Sequence, residues 1–127
     1  MPGRLLDTNA VIALQRNEAS LVVLLDTDDW FLNAVVVGEL YYGAYRSRHV
    51  SENVATIDRL VAQCSVIPVD HATARVFGEI HQQLRAVGRP IPENDIWIAA
   101  TALQHRLTLV TRDAHFDEVP GLMMTAW

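Results

Sequence analysis

Short apolar runs alternate with stretches whose apolar residues return every three or four positions, so strands and helices are expected to follow one another along the chain. A first strand is expected over Arg4–Leu6, then a helix opening near Thr8 and carrying residues 10–14. A second short helix covers Ala19–Leu25 and stops before the turn-like Asp26-Thr27-Asp28-Asp29. Residues 30–32 read as a strand, with Asn33 as N-cap of a helix reaching Arg46. Ser51 is the expected cap of the next helix, where Val54, Ile57, Leu60, Val61 and Cys64 recur at helical spacing. Val66, Ile67 and Val69 form another strand. Asp70 then caps a longer helix with Ala72, Val76, Phe77, Ile80, Leu84 and Val87 on one apolar face. Gly88, Pro90 and Pro92 break that pattern, and Asn94 is the expected cap of a helix over residues 95–105. Residues 108–110 form a strand, and residues 122–125 a last one after the Pro120-Gly121 turn.

Strand–helix alternation of this kind predicts an α/β fold with a mostly parallel sheet. The 127 residues show no repeat, low-complexity segment or linker, so residues 1–127 are expected to form a single domain. Apolar runs such as residues 21–25 and 34–37 are too short to span a bilayer. The opening Met1-Pro2-Gly3-Arg4 leads straight into a strand and does not resemble a signal peptide. The single cysteine, Cys64, has no intrachain partner, which fits a reducing compartment, and its neighbours Val61, Val66 and Ile67 suggest a buried thiol.

A net charge of −5 weighs against a nucleic-acid partner, but two details reduce its force. Four of the acids are candidates for one metal-filled pocket, and setting them aside brings the remainder close to neutral. All ten basic residues are arginines, suited to bidentate phosphate contacts, although nucleotide bias explains that equally well.

Those four acids are Asp7, Glu39, Asp95 and Asp113. Open parallel sheets bind ligands outside the carboxyl ends of their strands. Asp7 directly follows the first strand, and Asp113 follows the 108–110 strand by three residues. Asp95 opens a helix whose next residues, Ile96-Trp97-Ile98-Ala99-Ala100, are apolar nearly all round, so that its leading carboxylate is expected near the same rim. Glu39 is the sole charge between Asn33 and Tyr45 and shares a helix face with Tyr42, Gly43 and Arg46. Taken singly, Asp7 reads equally as a helix cap, Asp95 as a dipole-favoured residue and Asp113 as a turn residue. An unpaired glutamate on an apolar helix face is harder to explain structurally. Jointly, four converging carboxylates repel one another unless a cation neutralises them, and hard divalent ions take carboxylate oxygens. His49, His71, His81 and His105 are expected at the surface, with no histidine or cysteine spacing suited to a softer metal.

Four segments carry these acids: Leu5-Leu6-Asp7-Thr8-Asn9, Gly38-Glu39-Leu40-Tyr41-Tyr42-Gly43, Asn94-Asp95-Ile96-Trp97-Ile98-Ala99-Ala100, and Leu109-Val110-Thr111-Arg112-Asp113-Ala114-His115-Phe116. In this order they resemble the acidic motifs of PIN domains, in particular the VapC-type toxins of prokaryotic toxin–antitoxin pairs. The resemblance covers nearly the whole chain. It implies a three-layer α/β/α sandwich in a cytoplasmic endoribonuclease that uses Mg²⁺ or Mn²⁺ to cut structured RNA (tRNA or rRNA). A cognate VapB-type antitoxin and a homodimer are also implied, with no membrane association.

On that reading Asp7 and Asp95 bind the metal directly, while Asp113 and Glu39 bind a second ion or hold its waters. Thr8 and Thr111 support them through their hydroxyls, although both are equally good cap and strand-end residues; Asn9 is a weaker candidate of the same kind. Asp117 is a spare acid that reads more simply as a turn residue. Arg46 and Arg112, with Arg48 and Arg89, are candidate RNA contacts or ordinary surface arginines. Tyr41, Tyr42 and Tyr45 crowd one helix and suit either an interface or the core. Receiver domains share the general outline but need a lysine that this chain lacks. A PIN-like module that binds without cutting stays open as the alternative.

Overall fold

Strands with consecutive apolar residues suit a sheet covered on both faces, and the computed structural model, which describes residues 3–26 and 29–127, has that arrangement. β1 (Arg4–Leu6), β2 (Trp30–Asn33), β3 (Ser65–Ile67), β4 (Thr108–Val110) and β5 (Met124–Thr125) pair in parallel in the order β3-β2-β1-β4-β5. At the centre Leu5 stands opposite Phe31 on one side and Leu109 on the other. Leu5, Leu6, Leu109 and Val110 are fully buried. The described helices are α1 (Thr8–Gln15), α2 (Ala19–Leu25), α3 (Ala34–Tyr45), α4 (Val50–Gln63), α5 (His71–Ala86) and α6 (Glu93–His105). A 3-10 helix, Ala114–Glu118, connects β4 to β5.

The chain runs outward from β1 through β2 to β3, then returns to β4 on the other side of β1. The right-handed crossover rule therefore places α1 to α4 on one face and α5 and α6 on the other, giving the three layers expected. Pairing of α3 with α4 and of α5 with α6 agrees with this division. Reversal of strand order puts a crevice between the carboxyl ends of β1 and β4, the place where such sheets take ligands.

Local chemistry accounts for most boundaries. Asn33, fully buried, caps α3 by accepting from the Val36 N–H at 2.8 Å, and its amide donates to Thr101 in α6 at 3.2 Å. Asp70 caps α5 in a reciprocal box with Thr73. The apolar surround of α6 buries Ile96, Ile98, Ala99, Ala100 and Ala102, while Trp97 stacks on Phe77 with ring centroids 3.9 Å apart.

Several sequence-based boundaries move. α4 starts at Val50, because the Asn53 N–H already bonds the His49 carbonyl at 2.9 Å, so Ser51 lies inside the first turn rather than capping it. α6 starts at Glu93, since the Pro92 carbonyl accepts from Asp95 and Ile96 at 3.0 and 3.2 Å; Asn94 is therefore not its cap. β3 ends at Ile67 without Val69, because Pro68 has no N–H to extend the ladder. β5 holds only Met124 and Thr125, although Met123 still accepts from Leu109 at 2.8 Å. On α5 the hydroxyl of Thr73 is pinned by Asp70 and Gln104, which turns Thr73 inward and leaves Ala72 exposed; Val87, the C-cap, is exposed as well. Met1-Pro2 and the centre of the turn expected at residues 26–29 lie outside the described residues.

Candidate active site

Each of the four acids reaches the carboxyl rim by a different local device. Asp7 directly follows β1 and caps α1. Its Oδ1 accepts from the Ala10 N–H at 2.8 Å and its Oδ2 from the Thr111 hydroxyl at 2.6 Å, with only 4% of the residue exposed. It is both a helix cap and a pocket acid. Burial pushes its carboxyl above the ordinary range against the pull of those two hydrogen bonds, and the charges of Asp113 and Glu39 push the same way.

Glu39 is partly buried in the second turn of α3, and its Oε1 accepts from the Thr8 hydroxyl at 2.9 Å, tying α3 to the start of α1. Asp95 occupies the first turn of α6. Burial, followed by the charges of Asp113, Glu39 and Asp7, pushes its carboxyl up to about 6, with His115 opposing. Asp113 caps the 3-10 helix through a 2.9 Å bond from the His115 N–H, while its own N–H donates to Thr111 Oγ1 at 2.9 Å. The Thr111 hydroxyl thus donates to one acid's side chain and accepts from the backbone of another.

The structure therefore brings Asp7, Glu39, Asp95 and Asp113 to one rim, with Thr8 and Thr111 bonded to two of them. Asn9 and Asp117 are exposed. Arg46 bonds the Tyr42 hydroxyl at 3.3 Å and lies over its ring. Arg112 packs 4.3 Å from the centre of the Trp127 ring, donates to the Trp127 carbonyl and approaches Glu18 at 3.9 Å. Arg89 pairs with Glu118, and Arg48 is exposed. These arginines do not neutralise the acids.

His115 is the residue that sequence reasoning passed over. Its Nδ1 stands 3.2 Å from Asp113 Oδ1 and 3.6 Å from Asp95 Oδ2. The available signal was the spacing Asp113-Ala114-His115, in which a capping acid returns the side chain two residues on toward itself. Of the other histidines, His49, His71 and His105 are exposed as expected, whereas His81 is partly buried against Phe77. One donor atom each from Asp95, Asp113 and His115 lies within 4.8 Å of the other two, a set that fits a hard or borderline divalent cation.

The sequence profile of the PIN domain matches residues 4–122. The chain is 32% identical to ribonuclease VapC2 of Haemophilus influenzae, covering 97% of this chain and 96% of that protein. It is likewise 32% identical, with the same coverage, to the tRNA(fMet)-specific endonuclease VapC of Shigella flexneri. Among solved structures it resembles a chain of VapBC2 from Rickettsia felis bound to a promoter DNA fragment, with a TM-score of 0.89, 25% identity and 98% of each chain covered. Acidic rim, strand order and these similarities agree: the chain belongs to the PIN domain family.

Proposed function

We propose that residues 1–127 act as one metal-dependent endoribonuclease unit, the toxin of a toxin–antitoxin pair, hydrolysing phosphodiester bonds in structured RNA. The observation that carries this reading is the convergence of four acids at the β1–β4 crevice, with Asp95 held near 6 by burial and by its neighbours' charges. Carboxylates so arranged favour a divalent cation, Mg²⁺ or Mn²⁺. When bound, such an ion supplies a water of lowered pKa and stabilises charge on the phosphate.

The residues divide the remaining work. Asp95 and Asp113 offer the oxygens of the three-donor cluster. Asp7 is fixed by its two hydrogen bonds and presents a carboxylate of set direction. Glu39, anchored at Oε1 by Thr8, would use its other oxygen to accept from waters of the bound ion. Arg46, on the same helix as Glu39, and Arg112, next to Asp113 in sequence, would meet RNA phosphates only on leaving Tyr42 and Trp127. Similarity to proteins named as a ribonuclease and a tRNA(fMet)-specific endonuclease supports RNA as substrate, with tRNA or rRNA loops as the class.

An antitoxin of the VapB kind is the proposed partner. Structures of similar proteins are VapBC complexes, and here a groove lined by Thr8, Ile12, Leu40, Gly43 and Ile57 reaches Glu39. A side chain added at Gly43 would meet nothing within 4 Å, so this wall is open to a second chain. An inserted arginine would pair with the acids and compete with the cation. Tyr42 and Tyr45, 63% and 64% exposed, support a two-fold dimer through α3, for which light scattering at micromolar concentration is the check. No described helix is long and apolar enough to cross a membrane.

Mapping new 5′ ends in total RNA after incubation with the chain and Mg²⁺, against EDTA, tests the activity. Discrete metal-dependent cuts are expected. Intact RNA under both conditions would favour the binding module that does not cut.

A further inference from the structure

His115 stands where neither a structural helix residue nor a solvent-facing side chain is required. Its ring is attached to the rim through the Asp113 cap, and the backbone bond from His115 N–H to Asp113 Oδ1 does not depend on the side chain. The ring, though 57% exposed, lies over the rim with Nδ1 3.2 and 3.6 Å from carboxylate oxygens of two different elements. Neighbouring donors on an octahedral ion of this size are separated by about 3 Å. The two distances from Nδ1 are close to that, and the two carboxylate oxygens lie within 4.8 Å of each other, so a closing of the acids toward the ring would place the three atoms on one cation. We propose that His115 Nδ1 is a metal ligand beside Asp95 and Asp113, and that this nitrogen makes the site select Mn²⁺ over Mg²⁺. The inference rests on the metal-dependent reading above.

Selection follows from donor chemistry. Mg²⁺ dehydrates reluctantly and favours an all-oxygen shell, so exchanging a water for an imidazole gains it little. First-row transition ions accept imidazole more readily, and the gain falls on them alone. The carboxylates of Asp95 and Asp113 serve either ion. Removing His115 should therefore affect the two metals unequally, whereas removing an acid should affect both.

Mn²⁺ alone, added to the full chain without RNA, provides the readout. Free Mn²⁺ is followed by electron paramagnetic resonance, Mg²⁺ by competition, and nitrogen coordination by pulsed measurement of ¹⁴N coupling. Wild type is expected to bind Mn²⁺ about tenfold or more above Mg²⁺ and to show histidine ¹⁴N coupling. His115→Ala and His115→Gln should weaken Mn²⁺ about tenfold, abolish that coupling and leave Mg²⁺ nearly unchanged. A ring that merely pairs with the acids as a cation would give no coupling. Unchanged Mn²⁺ affinity in both variants, or no coupling in wild type, overturns the proposal. If Asp95→Asn loses Mn²⁺ while the His115 variants keep it, the acidic centre survives and only the histidine's role fails. A wild-type chain that binds no Mn²⁺ overturns both.

Discussion

The hydroxyl of Thr111 donates to Asp7 Oδ2 at 2.6 Å, joining the end of β4 to the end of β1 across 104 positions of sequence. This bond closes the crevice at the point where strand order reverses. Thr111→Val keeps the β-branched shape but leaves that oxygen unbonded and lets the Asp113 backbone lose its acceptor. RNA cleavage should fall roughly 10- to 100-fold, as for other orienting partners of metal-site residues. The melting temperature should fall by an amount equivalent to about 1–3 kcal/mol, the usual cost of a buried group left unmade. Cleavage equal to wild type would make Thr111 a strand-end residue only.

Asp7→Asn separates the two duties of that residue. The amide oxygen still accepts from Ala10, so α1 keeps its cap, but the charge is gone. Melting should change little or rise slightly, because burial disfavours the charge in the metal-free chain. Cleavage should drop by more than about 100-fold, beyond the range for orienting partners. Kinetics on a defined RNA, with thermal melting alongside, check both halves.

The pH dependence of stability has a definite sign. Asp95 is held at about 6 in the folded chain against an ordinary 3.8, so folding favours its protonated form. Its contribution is fully present below about pH 4 and is lost as pH rises through about 6. Metal-free wild type should therefore lose more melting temperature between about pH 5 and about pH 7 than Asp95→Asn does. Saturating Mn²⁺ or Mg²⁺ binds the deprotonated form, so metal-induced stabilisation should grow over the same window. Parallel slopes for wild type and variant would mean that Asp95 is not frustrated.

Asn33 couples the helices that bear Glu39 and Asp95, since it caps α3 and bonds Thr101 of α6 from a fully buried position. Asn33→Ala should destabilise by roughly 2 kcal/mol through the lost cap and the lost amide–hydroxyl bond to Thr101, whose hydroxyl keeps the Trp97 carbonyl. It should also weaken metal binding, though it lies outside the acid cluster. Chemical denaturation and calorimetric metal titration would measure the two effects.

The acids were legible in the sequence jointly, in four motifs in order, while singly only Glu39 and Asp95 had telling settings. Glu39 stands alone among apolar residues, and Asp95 precedes a helix that is apolar all round. Strand order was not legible: nothing in β2 or β4 says which will lie beside β1, because both are short apolar runs with equivalent faces. The His115 contact was missed because it depends on the ring's direction after a capping turn, and Asp113 alone gave no reason to look two residues on. Helix starts at Val50 and Glu93 escaped for another reason. Cap preferences favoured Ser51 and Asn94, whereas backbone carbonyls of His49 and Pro92 began the hydrogen-bond ladders earlier.

Lone-pair counting gives the Asp7 cap a consequence for substitution and for ion exchange. A carboxylate has about four acceptor directions. The Ala10 N–H takes one on Oδ1 and the Thr111 hydroxyl one on Oδ2, so an ion would meet a single lone pair on either oxygen, aimed by the fold. Glutamate, one methylene longer, could not keep both bonds and offer the same direction, so Asp7→Glu is no conservative exchange here. Glu39, by contrast, sits on a longer arm tethered at one oxygen and can follow a departing ligand. One fixed carboxylate beside one on a longer arm would hold a bound cation while leaving room for a substrate oxygen to replace water.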